Sequence, residues 1–303
     1  MLETLVQMIG LILCGVVWRW IKMGNLPPEQ ARYAITELVY YLLLPALVLV
    51  VLWRAPMGMD SVQISMLANM GIIFALVLSG IVCRACKMPP KVTGTIMIAS
   101  AFPNATYLGL PVLQAIFGDW ARSVAIQYDL FAATPLLFTV GILIAQHFGT
   151  VKQDAGFISR LIRIPPLWAA IAGTLLNLLA VPINTDFEKI LNMLGNTVVP
   201  LMLVALGMSL QWRSISMRQI PPLMIVAIIQ LLLTPLLVWQ VGLNTGLSGD
   251  LLVAVVLEAS MPSMVIGLVL CDRYGLDTSL YATAVTTTTL LSLISLPLWF
   301  SWV

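Results

Sequence analysis

The chain has 303 residues, of which 60% are hydrophobic and only 9% charged, and its net charge is +2. Soluble domains carry about 25% charged residues, so this composition excludes a soluble enzyme or a nucleic-acid-binding module. It requires a multi-pass protein whose main partner is the lipid bilayer.

Ten apolar runs of about 20 residues follow one another, each long enough to cross hydrocarbon about 30 Å thick. They lie near 2–21, 33–53, 64–83, 92–117, 121–146, 164–182, 188–209, 220–243, 249–271 and 278–302. The first is no cleavable signal peptide, because Glu3 stands where a basic start belongs and Arg19 and Lys22 follow the apolar run. The second holds Glu37 near one end and Pro45 in YYLLLPALVLVVLW. The third holds Asn69 and ends at Cys83 and Cys86. Their C-x-x-C spacing would need two more ligands to hold zinc, so they read as packing cysteines and no metal is expected. The fourth carries AFPNATYLGLP, and the fifth carries Asp129 in QYD. A polar interval from His147 to Arg163 then divides the chain. The sixth run holds Asn177; the seventh reads GNTVVPLMLVALGM, with Asn196 and Pro200; the eighth holds Gln230. The ninth contains Glu258 and ASMPSMVIG, and the tenth contains the run Thr286 to Thr289, whose hydroxyls suit bonds back to their own helix.

Basic residues are unevenly spread. Twelve (Arg19, Lys22, Arg32, Arg84, Lys87, Lys91, Lys152, Arg160, Arg163, Arg213, Arg218, Arg273) follow odd-numbered runs, against Arg54, Arg122 and Lys189 on the other side. Positive residues stay inside, so both termini are expected outside the cytoplasm, in a cell membrane. Landmarks also repeat: Pro45 and Pro200 are 155 apart, Pro103 and Pro262 are 159 apart, and Gly118 and Gly275 are 157 apart. The chain therefore reads as two five-helix repeats, 1–150 and 151–303. An odd number of spans turns the second copy upside down, the arrangement of many secondary transporters.

The fourth and ninth runs are interrupted near their middles, by Pro103, Asn104, Gly109 and Pro111 in one and by Pro262 and Gly267 in the other. Proline removes a helix hydrogen bond and clashes with the preceding turn, and freed backbone groups at membrane depth survive only inside protein or beside a water-filled cavity. An unwound fourth run would leave N–H donors at the start of its second half-helix, near Leu110 or Pro111, where an anion is favoured. Asn104, Thr106 and Tyr107 add polar groups there, with Gly109 and Pro111 completing the motif. Across from them, Pro262, Ser263 and Gly267 are expected to complete a substrate site, with Gly267 as a pliable joint. The competing reading is that these prolines only kink helices for packing.

Asp129 and Glu258 are the carboxylates well inside the apolar runs, and Glu258 lies one turn before Pro262. Intramembrane carboxylates default to functional hypotheses, so both are expected to meet a coupling H+ or Na+, or else to bond backbone groups freed at the breaks. Asn196 and Asn69 are expected to support the site. No cofactor is implied. The residues point to a secondary active transporter of small organic anions. The alternatives are an ion-coupled carrier similar to sodium/proton antiporters, or an anion channel; a channel would favour a continuous polar pore.

AFPNATYLGLPVLQAIFGD and MPSMVIGLVLCDRYGLD resemble the auxin efflux carrier family, and the likeness covers the whole chain. That resemblance implies an inverted five-plus-five fold with the fourth and ninth helices crossing at their breaks, a prokaryotic inner-membrane carrier of malonate-like organic acids, and a homodimer. Where plant members tend to have a second proline, this chain has Gly267. The plant substrate is not carried over.

Overall fold

The computed structural model describes residues 2–21, 27–151, 164–210 and 217–303, with side chains from residue 9 onward. Lys22, Lys152, Arg160, Arg163 and Arg213, and the side chain of Glu3, lie outside the described residues, as does most of the central polar interval. Among the described residues the fold is all-helical, without strands. In order come α1 (Leu2–Ile21), α2 (Pro28–Arg54), α3 (Met59–Ala85), α4 (Pro90–Ala101), α5 (Ala105–Phe117), α6 (Ala121–Phe148) and α7 (Pro165–Leu178). They are followed by α8 (Thr185–Ser209), α9 (Met217–Asn244), α10 (Gly249–Ala259), α11 (Gly267–Tyr274) and α12 (Thr278–Trp302). Six of these, α2, α3, α6, α8, α9 and α12, are long and apolar enough to cross a membrane.

Pro297 lies inside α12 with neither a wide turn nor a break, but other mid-run prolines change the helix in two ways. In α2, α6 and α9 the chain stays helical through Pro45, Pro135 and Pro235 by opening one wide turn just upstream, over Val39–Leu43, Asp129–Ala133 and Ile229–Leu233. The N–H of Leu44, Thr134 or Thr234 reaches back five residues, to Val39, Asp129 or Ile229. The extra residue gives the proline ring room where a regular turn would clash. A wide turn over Ala105–Gly109 stands in the same relation to Pro111. The second half-helix of the fourth run therefore begins at Ala105, not near Leu110, and Pro111 sits within it, not at its first position. Among the described residues, the mid-run prolines at which the helix unwinds are Pro103 and Pro262.

Two compact units share the chain. Unit 1 takes 1–61, 106–126 and 158–210, and unit 2 takes 62–105, 127–157 and 211–303. Each unit thus draws on both sequence halves.

Unit 1 is built on close backbone approach between small residues, as lipid-embedded helix pairs require. A Cβ on Gly15 of α1 would overlap the Val204 carbonyl of α8, and one on Gly207 would overlap the Ile12 carbonyl. Gly173 brings α7 against Leu49 and Leu52 of α2, and Gly195 brings α8 against Leu47. Polar side chains finish helix ends here: Arg19 donates to the Met208 and Leu210 carbonyls at 3.0 and 2.8 Å, and Asn177 donates to Trp53 and Ala55, both at 2.7 Å. In unit 2, α4 packs against α9, α12 and the end of α6, while α10 packs against α9 and α12. Phe102, Tyr128, Tyr274 and Tyr281 are its bulkiest fully buried side chains.

Candidate transport site

The geometry that can be built from residues upward lies in unit 2, where the two interruptions meet. Pro103 and Ser263 pair as in an antiparallel ladder. The Asn104 N–H donates to the Pro262 carbonyl at 2.8 Å, and the Met264 N–H donates to the Phe102 carbonyl at 2.9 Å. The breaks therefore satisfy each other's backbone, as membrane depth demands.

Side chains take up the remaining groups. Pro103 has no N–H for the Ala99 carbonyl four residues back, and the Ser263 hydroxyl supplies that donor at 2.6 Å. The Ser263 N–H donates to the Thr288 hydroxyl at 3.2 Å, which itself donates to the Ala284 carbonyl at 2.7 Å. Gln230 donates to the Met261 carbonyl and the Tyr281 hydroxyl to the Met264 carbonyl, both at 2.8 Å. Ser263→Ala is expected to strand the Ala99 carbonyl and destabilise the purified protein by ~1–3 kcal/mol. An unchanged thermal midpoint in detergent would show that another group takes over.

Not every polar atom near the crossing is used. Asn104 is 4% exposed and its Nδ2 has no partner among the described residues. Glu258 is fully buried, and neither carboxylate oxygen is hydrogen-bonded. The same holds for Ser100 Oγ, Gln127 Oε1, the Tyr128 hydroxyl, Gln230 Oε1 and Thr234 Oγ1, all within unit 2. Asp129 is buried, accepts a 2.9 Å hydrogen bond from Thr134, and lies within electrostatic reach of Glu258. No lysine, arginine or histidine of unit 2 is buried among the described residues. Within unit 2 the two carboxylates thus have no buried basic partner among the described residues, and a buried carboxylate is costly unless a proton or a cation matches it.

The expected site residues divide between the units. Asn104, Asp129, Glu258, Pro262, Ser263 and Gly267 belong to unit 2, whereas Thr106, Tyr107, Gly109 and Pro111 belong to unit 1, where all four are buried. Gly267 faces Tyr281, whose ring and hydroxyl occupy the space a Cβ would need. Asn69 is half-buried and donates to the Ser65 carbonyl of its own helix at 2.7 Å. Asn196, in unit 1, accepts from Arg122 at 3.4 Å. Thr286 and Thr288 bond back to Ala282 and Ala284 as the sequence predicts, but Thr288 also holds Ser263. That role of Thr288, with that of Tyr281, went unrecognised in the sequence, because nothing local says which distant helix supplies donors to a break; Gln230 bonds between helices, as a polar residue within an apolar run is expected to. Cys83 and Cys86 are free thiols, one buried and one exposed.

Among curated proteins, the chain is 30% identical over 300 residues to an uncharacterized transporter of Methanothermobacter thermautotrophicus, covering 98% of this chain and 96% of that protein. It is 27% identical to the uncharacterized transporter MJ1031 of Methanocaldococcus jannaschii, covering 97% and 96%. It is also 22% identical to the uncharacterized transporter YfdV of Escherichia coli, covering 89% and 88%. Residues 1–300 match the family described as membrane transport protein. A membrane-embedded chain with two mutually paired helix breaks is thus a member of that family, the auxin efflux carrier family of membrane transporters.

Proposed function

We propose that the chain is a secondary active transporter of small organic anions, working by alternating access around the crossing of its two helix breaks. In this reading ten spans form an inverted five-plus-five repeat in a cell membrane, with both termini outside the cytoplasm. The observation that carries it is a pair of interrupted helices joined by backbone bonds, with the Asn104 amide and the Glu258 carboxylate buried beside them and unpartnered. A packing kink needs no such groups, and burying them unpaired is costly. Asn104 would donate to the substrate carboxylate. Asp129 and Glu258 would take the coupling proton or sodium ion.

Asn104→Ala is expected to weaken substrate affinity by roughly tenfold, the worth of one hydrogen bond to a charged group, while the protein still inserts and purifies. Saturable counterflow in proteoliposomes supplies the assay and also separates a carrier from a channel, which shows none. Unchanged affinity in this variant removes Asn104 from the site. A second reading, an antiporter-like carrier moving cations alone, is favoured by the two buried carboxylates in unit 2. It predicts proton or sodium flux in liposomes containing no organic anion.

A further inference from the structure

Unit 1 contains a cavity of about 350 Å³ that the crossing does not account for, lined by Arg54, Arg122, Asp119, Glu188, Trp120 and Val50 among others, all from that unit. Its charged side chains are unequally held. Arg54, at the end of α2, is 57% exposed and pairs with Glu188 of α8. Arg122, in the first turn of α6, is only 9% exposed. Its Nη2 meets Asp119 at 2.8 Å and its Nη1 reaches Asn196 at 3.4 Å, but its Nε has no acceptor among the described residues.

A guanidinium grips a carboxylate best through two parallel N–H bonds along one edge. Along the edge formed by Nε and Nη2, Asp119 takes only the Nη2 end. Asp119 is 73% exposed, sits beyond the helix-ending Gly118, and shares the oxygen that meets Arg122 with the Gln114 side chain, which donates to it at 3.0 Å, so water and Gln114 both compete for it. Leaving one donor of a buried cation unmet is costly. Both arginines also lie on the side that the charge asymmetry of the sequence leaves poor in basic residues, where they serve no topogenic purpose.

We propose that this cavity is a binding site for a small soluble carboxylate, which takes the Nε and Nη2 edge of Arg122 and displaces Asp119. Val50 and Trp120 give an apolar wall for the ligand's carbon skeleton, and the volume falls in the range of small-molecule sites. The site lies wholly in unit 1, so binding there requires neither Asn104 nor the buried carboxylates of unit 2.

Calorimetric titration of the full chain in neutral detergent tests this, with acetate, succinate and inorganic phosphate as probes. Both carboxylates are expected to bind. Arg122→Gln should weaken them by roughly tenfold or more, and Arg122→Lys, which keeps the charge but loses the fork, by less. Asp119→Asn should tighten them a few-fold, because the competing carboxylate is gone. That gain is the decisive reading, since a merely structural ion pair would give no tightening when broken. The proposal is overturned by an absence of heat from both carboxylates, by heat from phosphate alone, or by an Asp119→Asn variant that binds no better than the wild type. Binding lost on transfer to phosphatidylglycerol nanodiscs would mean that a lipid phosphate holds the arginine edge, which also overturns it.

Discussion

Glu258→Gln is expected to abolish concentrative uptake, leaving a protein that at most equilibrates its substrate across the membrane. Glutamine keeps the shape of the side chain but can neither take up a proton nor neutralise a cation. Glu258 is fully buried, carries no hydrogen bond on either carboxylate oxygen among the described residues, and feels the charge of Asp129, buried in the same unit. Asp129→Asn is expected to act in the same direction and less completely, because Thr134 already satisfies part of Asp129. Uptake into proteoliposomes under imposed pH or sodium gradients measures both variants. Gradient dependence retained in both variants would mean that the driving ion binds elsewhere, and none in the wild type itself would mean that transport is uncoupled.

Gly267→Ala is the second large effect. The added methyl would meet the ring and hydroxyl of Tyr281, the hydroxyl that holds the Met264 carbonyl within the break. Overpacking of this kind costs about 1–3 kcal/mol, and here it also threatens the paired backbone at Ser263 and Met264. Gly267→Pro meets the same obstacle, since proline too carries a Cβ. Both variants are expected to lose thermal stability and transport, read from the thermal midpoint in detergent and from uptake into proteoliposomes. A stable Gly267→Ala protein that binds substrate normally but transports slowly would instead establish position 267 as a joint.

Much of this architecture can be read in the order of residues. Apolar run length suffices for the all-helical character and for the six membrane-length helices α2, α3, α6, α8, α9 and α12, Gly118 and Gly275 mark helix ends, and the breaks at Pro103 and Pro262 follow from proline chemistry. The same chemistry misleads at Pro111. Identical covalent constraints yield a widened turn at Pro45, Pro111, Pro135 and Pro235 and a full interruption at Pro103 and Pro262. What separates the two outcomes is whether distant groups stand ready to take the freed backbone. Ser263, Thr288, Gln230 and Tyr281 do so at the crossing, from positions as much as 164 residues away in sequence. Arg122 escaped notice for a related reason. In a string of letters it is one of three basic residues on the depleted side, and only the fold shows its Nε buried without an acceptor.

The interleaving of the two units bears on how the chain is made. Synthesis delivers α1 first, yet Gly207 and the Met208 and Leu210 carbonyls that receive Gly15 and Arg19 emerge almost two hundred residues later. Chains emerge from the ribosome at about 5–20 residues per second, so α1 waits on the order of ten seconds or more before its partner exists. During that interval the groove around Gly15 and the guanidinium of Arg19 are open to whatever the insertion machinery or the surrounding lipid offers. Unit 2 is completed later still, because α4 cannot bury the backbone freed at Pro103 until Ser263 has been added. A ribosome stalled between Leu210 and Pro262 would thus hold a chain whose first unit can close while its second remains open in the membrane, which makes that stretch the natural window for quality control to intervene.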